Sequence, residues 1–439
     1  MMSGSLIHRL NTAQEDFAQT YRDLLQWDAG DQAQIEKVVA DILAQVKARG
    51  DAALIDYTTR FDHLKLTPDS LTFTKQEIES AIGRCSKAEL AALDLAVERI
   101  RSYHVWQMPR MGVETYLDST GTLLGQRLSP LQRAGLYVPG GLASYPSSVL
   151  MNAIPAKVAG VSELAMVVPT PHGEVNPLIL AAAQAAGVDE IYKVGGAQAI
   201  AALAYGTQSI AAVDKIVGPG NIYVATAKKQ VFGRVGIDMI AGPSEILIVA
   251  DGHNDPRWLA ADLLSQAEHD EIAQSILITD SSALADQVEE ALAEQLAQLS
   301  RREICKKALS SRGAIILVKD MKEACELASQ AASEHLELAV ENPEALLPLI
   351  KNAGAIFMGR YTPEPIGDYI AGPNHVLPTE GTARFSSPLG VFDFIKRTSL
   401  IQCTPDSLAQ IGPAASQLAD SEGLTAHKLS VDLRLEAKP

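Results

Sequence analysis

From residue 134 onward, short apolar runs alternate with segments of helical periodicity. Short buried strands that alternate with helices of this length are typical of βαβ units, which build parallel sheets. The first block of this alternation predicts strands at 135–138, 164–168, 190–194 and 215–217, and helices at 149–161, 177–186, 197–205 and 221–231.

A second block of the same kind follows. It predicts strands at 245–249, 275–279, 314–318 and 355–358, and helices at 256–269, from 282, and at 321–333. The chain is therefore expected to contain two incomplete Rossmann-like α/β domains with parallel sheets, at residues 130–243 and 244–382. We expect residues 1–115 to be mainly helical and to pack on the second α/β domain. The polar, partly helical tail at 383–439 is too small for its own core, so we expect it to dock on a partner subunit.

Charge and composition exclude several classes of partner. The 53 acidic residues outnumber the 37 basic ones, and a net charge of −16 repels phosphate backbones and anionic lipid. No apolar run reaches the roughly 18 residues of a membrane helix, and residues 1–5 lack the pattern of a secretory signal. Four scattered cysteines favour the cytoplasm over an oxidising compartment.

Two polar pairs in the second block could carry chemistry. Gln266 and His269 stand at i and i+3 near the end of a predicted helix, so an amide oxygen and an imidazole could meet one metal ion; two solvated polar residues are the alternative. Glu334 and His335 stand where a helix gives way to a strand, and a carboxylate beside an imidazole suits proton transfer, although the dipeptide is common.

Further candidate groups lie nearer the C-terminus. Glycines and prolines around Asp368 and His375 predict a loop that carries polar side chains into a cleft, or an ordinary turn. His427, five residues after Glu422, is another possible nitrogen ligand or a surface histidine. Together these groups form a mixed nitrogen and oxygen set, which suits zinc, manganese or cobalt.

Glycine-rich turns close the predicted strands of the first block, at 139–141, 195–196 and 218–221. They lie at the sheet edge where open α/β folds bind ligands, so a dinucleotide could lie across it. Because glycine is also the usual residue of plain strand-to-helix turns, this pattern does not choose between the two.

Taken together, these segments resemble the histidinol dehydrogenase family. The resemblance runs in order from about Glu36 to the C-terminus. It is carried by GLYVPGG (135–141), VGGAQAIAAL (194–203), VDKI (213–216) with GPGN (218–221), AGPSE (241–245), DLLSQAEH (262–269), SEHL (333–336), GDY (367–369), GPNHVLPT (372–379) and LTAH (424–427).

The resemblance implies a role for each candidate residue. Zinc would be bound by Gln266, His269, Asp368 and His427, the last contributed by the partner subunit of a homodimer. Glu334 and His335 would be the acid–base residues. Substrate contacts would include Ser244, His375 and Glu422, besides the metal ligands and the acid–base pair. NAD would contact Tyr137, Gln198 and Asn221.

The implied activity is the oxidation of L-histidinol through L-histidinal to L-histidine, with two molecules of NAD and one zinc ion per site. One alternative is a related enzyme that oxidises another small polar alcohol, such as a sulfonated propanediol; retained Glu422 and His375 argue against it. A second is a zinc hydrolase, which leaves the first α/β domain unexplained. A third is a non-catalytic metal-binding protein, which the intact Glu334–His335 pair disfavours.

Overall fold

The structure is a computed structural model that describes residues 6–27, 32–140 and 145–436. Residues 1–5, in which the sequence predicts no secretory signal, and Gly141 of the first family motif lie outside the described residues. Within these ranges, no helix is both long and apolar enough to cross a membrane.

The strands and helices alternate through most of the chain. Strands β1 to β14 span His8–Asn11, Gly112–Leu117, Leu123–Pro130, Arg133–Tyr137, Glu163–Val167, Glu190–Tyr192, Lys215–Val217, Gly236–Ile237, Glu245–Ala250, Gln274–Thr279, Gly313–Leu317, His335–Ala339, Ala355–Met358 and Ile395–Gln402. Helices α1 to α17 span Phe17–Leu25, Gln32–Arg49, Asp51–Asp62, Lys75–Ile82, Lys87–Gln107, Pro146–Ala159, Pro177–Ala186, Gly196–Tyr205, Ile222–Val231, Pro256–Ala267, Ser282–Leu296, Arg302–Arg312, Met321–Ala331, Pro343–Leu346, Glu364–Tyr369, Pro405–Ser421 and Thr425–Glu436.

Two parallel sheets organise the chain, which confirms the predicted α/β class. The first has the strand order β6-β5-β4-β7-β8, and the second has the order β1-β11-β10-β9-β12-β13. Helices cover the sheets, so central strands such as β9 and β12 are buried along their whole length. This is why the sequence shows β9 as a nearly continuous apolar run, whereas β12 also buries the polar residues His335 and Glu337.

The N-terminal region differs from the expectation. Strand β1 and helix α1 lie against the six-stranded sheet, but α2 packs on α8 and α9, α4 on α7, and α5 on α6. The prediction that residues 1–115 pack on the second α/β region is therefore wrong for these three helices. The apolar stripe of α2 is buried with the helices of the five-stranded sheet, and periodicity identifies such a stripe without naming its partner.

An antiparallel sheet, which the sequence analysis did not predict, joins distant segments. Its strand order is β14-β3-β2, so residues 395–402 of the tail pair with residues 123–130. The two C-terminal helices, α16 and α17, pack on each other, and none of the described residues of α17 is buried in this single chain.

A buried ion pair holds the turn between β7 and α9. The Lys228 ammonium pairs with Asp238, and both side chains are almost fully buried. Lys228 also donates to the Gly218 carbonyl at 2.9 Å, and the Gly218 N–H donates to the Asp238 carboxylate at 2.7 Å. The pair therefore fixes the glycine-rich turn that precedes Asn221.

We expect Lys228→Met to lower the free energy of unfolding by about 3–5 kcal/mol, because Asp238 would remain as a buried charge without its partner. The control is Lys229→Met at the next residue, whose half-exposed ion pair with Glu36 should contribute less than about 1 kcal/mol. Denaturant unfolding measures both variants, and equal losses would contradict this role of the pair.

Candidate functional site

The candidate site lies at the amino edge of the six-stranded sheet. Strand β9 begins at Glu245 and strand β12 at His335, and the two are parallel neighbours with His335 opposite Ile246. Helix α10 follows β9 and runs back along the sheet, so Gln266 in its last turn and His269, two residues beyond its end, return to the same edge. The contact of the Ser275 hydroxyl, at the start of β10, with the Leu263 carbonyl agrees with this path.

The His335 ring is held in one tautomer. Its Nδ1 lies 2.9 Å from the backbone carbonyl of Glu245; because a carbonyl only accepts, the neutral ring must carry its proton on Nδ1. The lone pair of Nε2 then faces Glu364 Oε1 at 3.6 Å and Asp368 Oδ1 at 3.9 Å. Burial lowers the pKa of His335, although the Asp368 carboxylate opposes this. The ring is thus a neutral, oriented proton acceptor.

Glu334 is buried beside this ring. Its Oε2 accepts the backbone N–H of Glu245 at 2.9 Å and lies 3.6 Å from His335 Nδ1. Burial, together with the nearby Glu245 and Asp368 carboxylates, raises the pKa of Glu334 well above its usual range. A buried carboxyl group with a raised pKa can hold a proton and exchange it during a reaction.

Glu364 is a site residue that the sequence analysis missed. It is almost fully buried and stands four residues before Asp368 on α15. Burial, followed by the charge of Asp368 and a hydrogen bond to it, raises the pKa of Glu364 to about 10. The sequence analysis treated this segment as a loop; the i, i+4 spacing of two carboxylates would have indicated a shared face if it had been assigned as a helix.

Several buried polar atoms at this edge have no hydrogen-bond partner. They are Gln266 Oε1, His335 Nε2, Glu364 Oε1 and His375 Nε2. His269 and His375 both act electrostatically on His335, so these two imidazoles lie within electrostatic range of it. Unsatisfied oxygen and nitrogen acceptors grouped with carboxylates are what a divalent cation or a polar substrate would satisfy.

Two sets of ligands are possible at this edge. Ligand atoms of His335, Glu364 and Asp368 lie within 4.8 Å of one another, whereas the resemblance points to Gln266, His269 and Asp368. The first set would use the His335 ring as a ligand, whereas the second would leave His335 Nε2 available as a base.

The remaining predicted site residues are Ser244, Glu422 and His427. Ser244 is half-buried directly before Glu245. Glu422 and His427 are exposed at the end of α16 and on α17. Among the described residues, no recorded hydrogen bond or ion pair joins either of them to the cluster around His335.

The predicted NAD contacts gather at the carboxyl edge of the five-stranded sheet. The Tyr137 hydroxyl, whose pKa burial raises to about 12, accepts the Gly196 N–H at 3.2 Å. Gln198 Oε1 is buried without a partner. The Asn221 side chain accepts the N–H groups of Tyr223 and Val224 as the N-cap of α9. A Cβ on Gly140 or Gly195 would lie within 2.5 Å of Pro169, so only glycine lets these turns approach.

Comparisons with known proteins agree with one another. The family model described as histidinol dehydrogenase matches residues 25–435. The chain is 57% identical to the histidinol dehydrogenase of Pseudomonas aeruginosa, over 98% of this chain and 97% of that protein. It is 60% identical to that of Rhodospirillum rubrum, over 97% and 98%. The crystal structure of histidinol dehydrogenase from Elizabethkingia anophelis matches with a TM-score of 0.92 and 35% identity, covering 98% of each chain.

The close contact between Gly354 and Glu334 gives a test of how tightly the site is built. A Cβ on Gly354 would lie 2.5 Å from the Glu334 carbonyl oxygen, so Gly354→Ala should push the starts of β12 and β13 apart and lower the free energy of unfolding by about 1–3 kcal/mol. In the control, Gly83→Ala, the nearest atom is 3.5 Å away, and the change should stay within about 1 kcal/mol. If denaturant unfolding gave equal losses for both variants, the close contact at Gly354 would not be what determines the stability of this edge.

Proposed function

The chain belongs to the histidinol dehydrogenase family, and from this premise we propose that it oxidises L-histidinol to L-histidine in two successive NAD-dependent steps with zinc in the site. The observation that carries the proposal is the buried Nε2 lone pair of His335, fixed by the Glu245 carbonyl and facing Asp368 at 3.9 Å. A base in this setting can take the proton of an alcohol held beside it.

The residues divide the work between binding and proton transfer. Gln266, His269 and Asp368, with His427 contributed by the partner subunit, would hold the zinc ion, which when bound fixes the orientation of the substrate's nitrogen atoms. NAD would accept the hydride. His335 Nε2 takes the hydroxyl proton during the first oxidation, releases it to water, and then takes the proton of the hydrated aldehyde during the second. Glu334, whose raised pKa suits exchange of a proton, assists the addition of water between the two.

The alternatives make different predictions in one assay. NADH absorbance with L-histidinol as the limiting substrate should show two NADH per substrate, and a chelator should stop the reaction. Turnover without NAD would favour a zinc hydrolase, and NADH formation with a sulfonated propanediol but none with histidinol would favour the related dehydrogenase.

The four cysteines are free, as in proteins of the reducing cytoplasm, which we propose as the compartment.

His335→Asn should reduce kcat for both oxidations by roughly 10²–10⁴-fold, because asparagine cannot accept the proton. The control is His253→Asn, which changes an exposed histidine and should keep the wild-type kcat. Steady-state rates with histidinol and with histidinal measure both steps. If the His335 variant kept most of its activity, the residue would not be the base.

We propose that the active unit is a homodimer in which His427 and Glu422 reach the site of the partner subunit. Both residues are exposed in the single chain. Helix α17 also leaves Leu429 and Leu433 exposed, as is Leu424 directly before the helix, and such an apolar surface is typical of an interface. Isologous pairing would give two equivalent shared sites.

A mixing experiment tests this sharing. His427→Ala and His335→Asn should each be nearly inactive as pure dimers. In a dimer of one subunit of each kind, one of the two sites receives an intact His335 and an intact partner His427. Random mixing makes about half of the dimers mixed, so about one quarter of the wild-type activity should return. No recovery after subunit exchange would place His427 in the site of its own subunit, and a fully active pure His427→Ala dimer would place it outside any site.

A further inference from the structure

We infer that Glu245 is a positioning residue that holds both Glu334 and His335 in their working orientations, an inference that rests on the proposed function. Glu245 is the first residue of β9 and only 3% exposed. It is not among the acid–base residues, metal ligands or substrate contacts that the resemblance implies. Four hydrogen bonds join it to the catalytic pair and to the loop beyond it.

The peptide groups of Glu245 hold the two catalytic side chains. Its N–H donates to Glu334 Oε2 at 2.9 Å, and its carbonyl accepts from His335 Nδ1 at 2.9 Å. The first bond aims the carboxyl group, and the second sets the tautomer that leaves Nε2 free to accept a proton. A shift of the Glu245 backbone would therefore disturb both groups together.

The side chain of Glu245 fixes the position of the Glu245 backbone. Its Oε2 accepts the Glu334 N–H at 3.2 Å, so Glu245 and Glu334 exchange side-chain and backbone bonds across the starts of two strands. Its Oε1 accepts the Glu380 N–H at 2.6 Å. Each carboxylate oxygen thus serves a different segment of the backbone.

The backbone at Glu380, whose N–H donates to Glu245, is strained. Its φ of 54° lies in the left-handed region, which glutamate rarely adopts. Strain of this kind persists where surrounding contacts impose it, and the short bond to Glu245 is such a contact. Glu380 and His375 lie in the same loop after α15. Glu245 therefore also connects the catalytic pair to a predicted substrate contact.

Only a carboxylate at residue 245 can make both bonds. The Glu334 and Glu380 N–H groups are both donors, so each needs an acceptor. A glutamine has one acceptor oxygen, and its NH₂ group would face the second N–H. Glu245→Gln keeps the size of the side chain and should release one of the two segments.

The test compares Glu245→Gln with Glu380→Gln. The second variant removes a charge from the same surroundings but leaves the Glu380 backbone N–H in place, so it is the matched control. We expect Glu245→Gln to lower kcat about 10- to 100-fold, as displaced catalytic groups do, with KM changed less than about threefold and zinc content unchanged. The Glu380→Gln variant should keep kcat within about twofold of wild type.

A spectroscopic readout separates positioning from general stability. In ¹⁵N-histidine-labelled protein, His335 should show the Nδ1–H tautomer in wild type and in Glu380→Gln, and a mixture of tautomers in Glu245→Gln. This measurement needs no turnover, so it still tests Glu245 if the wild-type protein yields no NADH from histidinol and the proposed function fails.

An unchanged kcat with an unchanged tautomer in Glu245→Gln would overturn the inference, and so would a loss of zinc in proportion to the loss of kcat. If Glu245→Gln does not fold, Glu245→Asp replaces it. Aspartate keeps the charge but is one methylene shorter, so it cannot span both N–H donors, and the same fall in kcat is expected. Wild-type rates in a folded Glu245→Asp would contradict the role.

Discussion

Several carboxyl groups are buried together at the amino edge of the six-stranded sheet, and removing their charges from water is costly unless each is compensated. The structure compensates them in different ways. Glu334 and Glu245 accept backbone N–H groups, and Glu364 keeps a proton because its pKa is raised to about 10. Asp368 lies beside these groups, 3.9 Å from the His335 ring, so a cation bound there would complete the balance of charge.

Chain direction explains why these residues meet. Parallel strands place the first residues of β9 and β12 side by side, and helix α10 brings Gln266 and His269 back to the same edge. Open α/β sheets more often bind ligands at the carboxyl ends of their strands. Here the carboxyl edge of the other sheet carries the candidate NAD contacts, including Tyr137 and Gln198.

The sequence could predict what depends on local patterns. The alternation of strands and helices indicated the α/β class, and the spacing of Gln266 and His269 placed them on one helix end. The junction before His335 was expected where a helix gives way to a strand, and α13 and β12 flank it. The ligand set, the NAD contacts and the partner's contribution through His427 came only from the family resemblance.

The parts of the fold and of the site that the sequence did not predict depend on long-range contacts, which leave no local pattern in the sequence. Strand β14 pairs with β3 across more than two hundred residues, and its side chains are mostly exposed, so no apolar run marks it. The apolar stripe of α2 does not reveal which sheet it covers. Glu245 was not recognised because its peptide groups carry half of its role, and a peptide group has no sequence signature.

The most direct test of this account is the position of zinc in crystals of the zinc-loaded protein, located by anomalous scattering at the zinc edge. We predict one peak per chain, about 2.0–2.2 Å from donor atoms of Gln266, His269 and Asp368, with His335 Nε2 unbound. A peak ligated by His335 and Glu364, or no peak at this edge of the sheet, would contradict it.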